Sequence, residues 1–167
     1  MQASSDENTG WRGRLPAVSI DRSSWVSWAM YVLGIEMVRD YGFDADLRTG
    51  GPGLMVLAGS IAVFFMLVLL IQRHMRLSLL ASTYGDPQQL VTSGPFYLSR
   101  NPIYVAFLIP LATLSYYSLI AAMAAMGLYM LVMTYFVIAR EEATLEQSFG
   151  QTYLDYKART PRWAFAL

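Results

Sequence analysis

The chain has 167 residues, and its twelve basic and twelve acidic side chains cancel, so no basic surface for nucleic acid is implied. Hydrophobic residues reach 55% and charged ones only 14%, against about 25% charged in an average soluble domain; this argues against a soluble globular protein and against disorder. Cysteine is absent and His74 is the sole histidine, which excludes disulfides, cysteine nucleophiles and a zinc site built on several histidines.

Residues 1–24 read as a polar N-terminal tail, and the first 20 lack the apolar stretch of a signal peptide. Trp25–Val38 is apolar but short and holds Glu36, so it reads either as a tilted first membrane span or as an interfacial helix. Residues 39–52, rich in Gly and Asp, read as a loop. Residues 54–71 form an uncharged run of 18 residues, the length of a transmembrane helix.

No charge occurs from Asn101 to Ala139, over 39 residues. One helix of that length would measure about 58 Å, too long for one crossing of a layer about 30 Å thick. Two crossings fit, with a turn at Ser115-Tyr116-Tyr117-Ser118 and a kink at Pro110, which removes a helix hydrogen bond. From Glu141 to Tyr156 the pattern is amphipathic, with Leu145, Phe149, Tyr153 and Tyr156 on one stripe and Gly150 as a break or bend. With the N-terminus in the cytoplasm, ten of the twelve basic residues fall inside and only Arg39 and Arg48 outside. The expected architecture is an all-α integral membrane protein, with about four transmembrane helices and a C-terminal amphipathic cytoplasmic helix.

Two clusters carry chemistry. The first runs from Thr92-Ser93-Gly94-Pro95-Phe96-Tyr97 to Ser99-Arg100-Asn101-Pro102-Ile103-Tyr104. Gly94-Pro95 signals a turn, Pro102 suits a first helical turn, and Asn101 stands where an N-cap would. The second is Arg140-Glu141-Glu142, which a hairpin returns to the neighbourhood of Asn101 and Tyr104. Carboxylates there can accept from ribose hydroxyls or bind an amino group. Each cluster alone equally describes an ordinary membrane-helix end. His74, between Arg73 and Arg76, reads as an interfacial residue.

Together the clusters form a pattern. Leu90-Val91-Thr92-Ser93-Gly94-Pro95-Phe96-Tyr97 precedes Arg100-Asn101-Pro102-Ile103-Tyr104-Val105-Ala106. After the hairpin come Glu141-Glu142-Ala143-Thr144-Leu145, Phe149-Gly150-Gln151-Thr152-Tyr153-Leu154-Asp155-Tyr156 and Pro161-Arg162-Trp163. Order and spacing resemble the isoprenylcysteine carboxyl methyltransferase family and its bacterial relatives, including phospholipid methyltransferases, over roughly residues 73–167. Asn101 stands where that family has histidine, Ala106 where it has glycine, and Val137 where it has a substrate-binding arginine.

The resemblance implies S-adenosyl-L-methionine-dependent methyl transfer to a lipophilic acceptor, by one membrane domain over 25–167 whose cofactor-binding part is about 73–167. Cofactor contacts would come from Gln88, Gln89, Leu90, Val91, Phe96, Asn101, Pro102, Ile103, Tyr104, Glu141 and Glu142. Phe96 and Tyr104 would pack on adenine or face the sulfonium, where a π face attracts a cation. Arg140 is the candidate catalytic residue, a cation to hold a substrate carboxylate. The implied partners are the bilayer and a lipophilic or prenylated substrate, with no metal and no nucleic acid, and the cofactor site faces the cytoplasm. The acceptor is left open among an isoprenylcysteine-like carboxylate, a thiol, an amine and an isoprenoid acid. Two other readings remain: an NADPH-dependent membrane reductase of related architecture, and a non-catalytic membrane partner protein.

Overall fold

The computed structural model of the protein describes residues 20–82 and 90–164, with side chains over 25–75 and 90–164. Among the described residues all regular structure is helical. In chain order the helices are α1 (Ile20–Val38), α2 (Phe43–Thr49), α3 (Pro52–Ser82), α4 (Pro95–Leu98), α5 (Pro102–Ala106), α6 (Leu108–Thr113), α7 (Leu119–Val132), α8 (Ala139–Phe149) and α9 (Gln151–Arg159). A π-helical stretch, Met133–Ile138, joins α7 to α8 without a break.

Among the described residues α1, α3, α5–α6 and α7 build the bundle, and cross-helix contacts set their directions. Ser27 donates to the Met133 sulfur at 3.7 Å, and a Cβ at Gly34 would lie 3.4 Å from that of Ala125, so α1 and α7 run antiparallel. Gly34 also lies against Leu111 and Leu114, and the facing stretch of α7 is Ala121, Ala122 and Ala125, all buried. Small residues let the backbones approach closely, as apolar helix interfaces require. Down α3, Gly53 meets Tyr116 and Tyr117, Ser60 Oγ lies 3.3 Å from Thr113 Oγ1, and the Phe64 ring packs tilted against Phe107 with centres 4.3 Å apart, so α3 opposes α5–α6. Trp28 packs edge-on against both Phe64 and Phe107, and Tyr129 lies 6.1 Å from Phe107. Aromatic pairs of this kind contribute about 0.5–1.5 kcal/mol each beyond their buried area.

The bundle therefore has two ends. One holds the α1–α3 connection and the tip of the α6–α7 hairpin. There Asp46 Oδ2 accepts from the Tyr117 hydroxyl at 3.0 Å and from Gly53 N at 2.9 Å, and Phe43 packs on Tyr117. The other end gathers His74, the described segment before α5 (90–101), and residues 139–164.

Pro52–Met75 and Leu119–Phe149 are long and apolar enough to cross a membrane. Only 22% of each apolar window is buried, whereas the core helix of a soluble protein would be mostly enclosed. Met55, Phe65, Met66, Leu69 and Leu70 on the first, and Ile120, Met123, Leu131 and Phe136 on the second, face outward. An exposed apolar surface this extensive is the mark of a membrane protein. Leu119–Phe149 measures about 46 Å at 1.5 Å per residue. A hydrocarbon layer of about 30 Å takes roughly twenty residues, and Arg140, the first charge in this helix, follows the uncharged residues 119–139.

Several elements differ from their sequence-based expectation. The first helix begins at Ile20, inside the stretch read as polar tail. The 39–52 loop contains α2, held between Gly42 and Gly50 at positive φ and anchored by buried Phe43. The first arm of the hairpin is divided at Phe107: Pro110 offers no N–H to the Ala106 carbonyl four residues back, and the helix breaks at that point. The turn falls at Leu114–Tyr116, overlapping the expected polar patch, with Ser118 Oγ capping α7 through Ala121 N at 3.3 Å. The amphipathic C-terminal helix is two helices, α8 and α9, separated by Gly150 at φ 51°.

Candidate active site

The end of the bundle beyond Ile138 is built from three segments. The first is the turn before α5. His74 Nε2 lies 3.1 Å from Ser93 O and 3.2 Å from Ser93 Oγ, fastening α3 to the turn. Gly94 there has φ 61°, and a Cβ on it would fall 2.5 Å from the His74 ring. Glycine is needed for the backbone conformation and for the close approach alike.

The second segment is Ser99-Arg100-Asn101, which leads from α4 into α5, with Pro102 buried in the first turn. The expected side-chain cap is not made. Asn101 occupies the N-cap position, but its Nδ2 donates instead to the carbonyl oxygen of Arg162, at 3.1 Å. Ser99 Oγ donates to the same carbonyl at 2.8 Å and accepts from Asn101 N at 3.0 Å. Asn101 thus serves the third segment, the strap Thr160–Trp163 that follows α9. Arg100 N also donates to Pro161 O at 3.0 Å, and Trp163 Nε1 donates to Thr134 Oγ1 at 3.1 Å.

The acid pair lies between these segments. Adjacent helical residues point about 100° apart, and the two carboxylates meet opposite surroundings. Tyr104 Oη donates to Glu141 Oε1 at 2.7 Å. Glu141 Oε2 has no hydrogen-bond partner among the described residues. Burial pushes the Glu141 carboxyl above its ordinary range, against the opposing effect of the Tyr104 hydrogen bond. Tyr104 is itself buried, and its carbonyl accepts from the Tyr129 hydroxyl at 3.2 Å.

Glu142 is 4% exposed and sits in a cationic cage. Arg162 reaches it with Nε at 3.0 Å and Nη2 at 2.6 Å, a bidentate pair, and Arg100 Nη2 with a bond of 2.9 Å. Lys157 stands 3.8 Å away and pairs also with Glu146. Arg100 spends its other terminal nitrogen on the carbonyls of Lys157 and Thr160, at 2.7 and 2.9 Å. Burial raises the Glu142 carboxyl, but the hydrogen bonds and charges of Arg162 and Arg100 outweigh it and hold the group below the usual carboxylate range. A buried pair needs this geometry to offset the loss of water.

The structure therefore brings Asn101, Tyr104, Glu141 and Glu142 together, with Pro102 buried and Ile103 half-buried beside them. Leu90, Val91 and Phe96 are half-buried in the preceding segment, and the Phe96 carbonyl accepts from the Tyr156 hydroxyl at 2.7 Å. Gln88 and Gln89 lie outside the described residues. Arg140 is exposed and makes no ion pair among the described residues; only its carbonyl is engaged, by Thr144. The cations that hydrogen-bond to the acid pair are Arg100 and Arg162. Sequence reasoning placed both in motifs but assigned neither to Glu142, because residues 42 and 20 positions apart carry no spacing signal.

The π-helical turn ends directly before Ala139 and includes Val137. Such turns recur at functional sites, and the wider turn rotates every later residue relative to a continued α-helix. Here it sets the directions of Glu141 and Glu142. Among the described residues no cluster of acidic and histidine side chains is arranged to hold a metal ion.

Residues 53–152 match the family described as phospholipid methyltransferase, three-fifths of the chain. No curated protein and no solved structure matches it. The matched stretch includes α3, the hairpin and the acid pair, and ends before the strap that carries Arg162.

Proposed function

The chain belongs to the phospholipid methyltransferase family, and we propose that methyl transfer takes place at the bundle end where Asn101, Tyr104 and the Glu141–Glu142 pair meet. As a member of that family the protein is an S-adenosylmethionine-dependent methyltransferase that acts on a lipophilic acceptor. One observation carries the placement: a half-buried carboxylate, Glu141, is oriented by a buried tyrosine and keeps one oxygen without a hydrogen-bond partner among the described residues.

That arrangement fits the cofactor, whose amino group and ribose hydroxyls are hydrogen-bond donors in need of an acceptor. When bound, S-adenosylmethionine supplies an electrophilic methyl group. Glu141 binds the donor groups, and Tyr104 fixes its rotamer. Glu142 holds Arg100 and Arg162 and so positions the strap against the start of α5. Leu90, Val91, Phe96, Pro102 and Ile103 exclude water from the pocket. Arg140 stands exposed beyond the end of the apolar layer, placed to receive an anionic group of the acceptor. A carboxylate acceptor is already ionised at pH 7 and needs no general base, so alignment and water exclusion are what the chain must provide.

The same reading extends to topology. Four passes, α1, α3, α5–α6 and α7, cross the bilayer, with the acid-pair end in the cytoplasm. Charge placement supports it: Arg39 and Arg48 belong to the tip end, while Arg73, Arg100, Arg140, Lys157, Arg159 and Arg162 belong to the other.

The test is calorimetric titration of the detergent-purified protein with S-adenosylhomocysteine, with NADPH in parallel. Binding of the first alone, in the micromolar range, is the expected result. Binding of NADPH alone would replace the proposal with a reductase, and binding of neither with a non-catalytic partner protein.

A further inference from the structure

A groove of about 720 Å³ opens on the side of the bundle, between the helix running from α7 into the π-helical stretch and the segment from the end of α9 to the strap. Neither Tyr104 nor Glu141 lines it. Its two walls differ in character. One carries four cations, Arg100, Lys157, Arg159 and Arg162, and no carboxylate. The other carries Met130, Leu131 and Tyr135. Leu131 and Tyr135 are exposed on the helix that is long and apolar enough to cross a membrane.

The cations are only partly neutralised. Glu142 engages Arg100 and Arg162, and Glu146 engages Lys157. Arg159 has no carboxylate within ion-pair reach among the described residues; its Nε donates to the Asp155 carbonyl at 3.1 Å. Arg100, whose side chain is only 9% exposed, keeps a buried Nε without a hydrogen-bond partner among the described residues. Surplus positive charge thus lies directly beyond an apolar, lipid-facing surface. An anionic amphiphile has the complementary order of groups, and basic pockets beside membrane helices bind acidic headgroups for this reason.

We propose that this groove seats a membrane lipid with an anionic phosphate headgroup, its phosphate among Arg159, Lys157 and Arg162 and its acyl chain along Met130, Leu131 and Tyr135. The site is separate from the methyl-transfer pocket and does not depend on that assignment.

Native mass spectrometry of the full-length protein tests it, with phosphatidylglycerol, phosphatidylcholine and free glycerol phosphate as probes and thermal denaturation in detergent as the folding control. The expected result is retention of phosphatidylglycerol over phosphatidylcholine, reduced about fivefold by Arg159→Gln, the effect of one basic residue near a lipid surface. Tyr135→Ala should also weaken retention, while Arg73→Gln, on α3, should leave it unchanged. Equal retention of the two lipids would overturn the proposal. So would a preference that survives Arg159→Gln in a folded protein, or one lost equally in Arg73→Gln. Binding of glycerol phosphate as tight as that of the lipid would also overturn it, since the apolar wall would then contribute nothing.

Discussion

Tyr104 and Glu141, 37 positions apart, are joined by a 2.7 Å hydrogen bond at the end of the bundle. The hairpin returns the chain to the level from which it left, and the buried phenol meets the carboxylate there. Glu142, one residue on, faces Arg100 and Arg162 instead. Two adjacent acids are thereby divided between two surroundings.

The first prediction concerns Glu141. Glu141→Ala should abolish binding of S-adenosylhomocysteine by calorimetry while leaving the thermal midpoint close to wild type, because the side chain makes a single hydrogen bond. Tyr104→Phe gives a subtler result. Burial raises the Glu141 carboxyl and the Tyr104 hydroxyl opposes that rise. Binding that needs the carboxylate is lost as pH falls through the raised value. Removing the hydroxyl should move that loss to higher pH, visible as a shifted midpoint in a pH series of titrations. An unchanged midpoint would show that Glu141 is not the group that binds.

Glu142 behaves with the opposite sign. Its folded-state carboxyl is held low by Arg162 and Arg100 despite burial. Its contribution to stability is therefore present above the unfolded carboxylate range and is lost as pH falls through the depressed folded value. Glu142→Ala leaves Arg100 buried without its ion partner and should cost about 3–5 kcal/mol. Denaturation in detergent from neutral to acidic pH should show the wild type losing stability on acidification and the variant losing less.

Asn101 separates two roles in one experiment. Asp and Asn are equally good N-caps, so a capping role would tolerate Asn101→Asp. In the structure Asn101 is a donor, Nδ2 to the Arg162 carbonyl. Aspartate would set an acceptor against an acceptor. We expect Asn101→Asp to destabilise the strap by about 1–3 kcal/mol, more than Asn101→Ala. Faster limited proteolysis near residue 160 would report it, and equal behaviour of the two variants would refute the donor role.

Gly94→Ala should lower stability by about 1 kcal/mol or more, because positive φ disfavours any Cβ and this Cβ would strike the His74 ring. Combining it with His74→Ala should recover the steric part and not the backbone part. Full recovery in the double variant, measured by thermal denaturation, would show that backbone strain at Gly94 is negligible.

Much of the architecture was legible from local patterns. The uncharged run 54–71 became the middle of α3, and the charge-free stretch 101–139 became a hairpin turning at Leu114–Tyr116. Both follow from length and polarity alone. The meeting of Tyr104 with the acid pair followed from hairpin geometry. The break at Phe107 was foreshadowed by Pro110, and the division between α8 and α9 by Gly150. What sequence reading mistook was the use of a side chain. Asn101 suited a cap by type, yet a carbonyl 61 positions away claims its amide.

Composition, charge spacing and motif order were by themselves enough to define a helical membrane protein with a methyltransferase signature, because apolar length and turn residues act over short stretches of chain. Only the tertiary structure decided which acid meets Tyr104 and which one braces the strap. That choice depends on the π-helical turn at Met133–Ile138, which sets the helical phase after it, and on the strap that brings Arg162 to Glu142. Both are matters of orientation, and orientation arises only when distant segments share one low-dielectric site where every buried charge must find its partner.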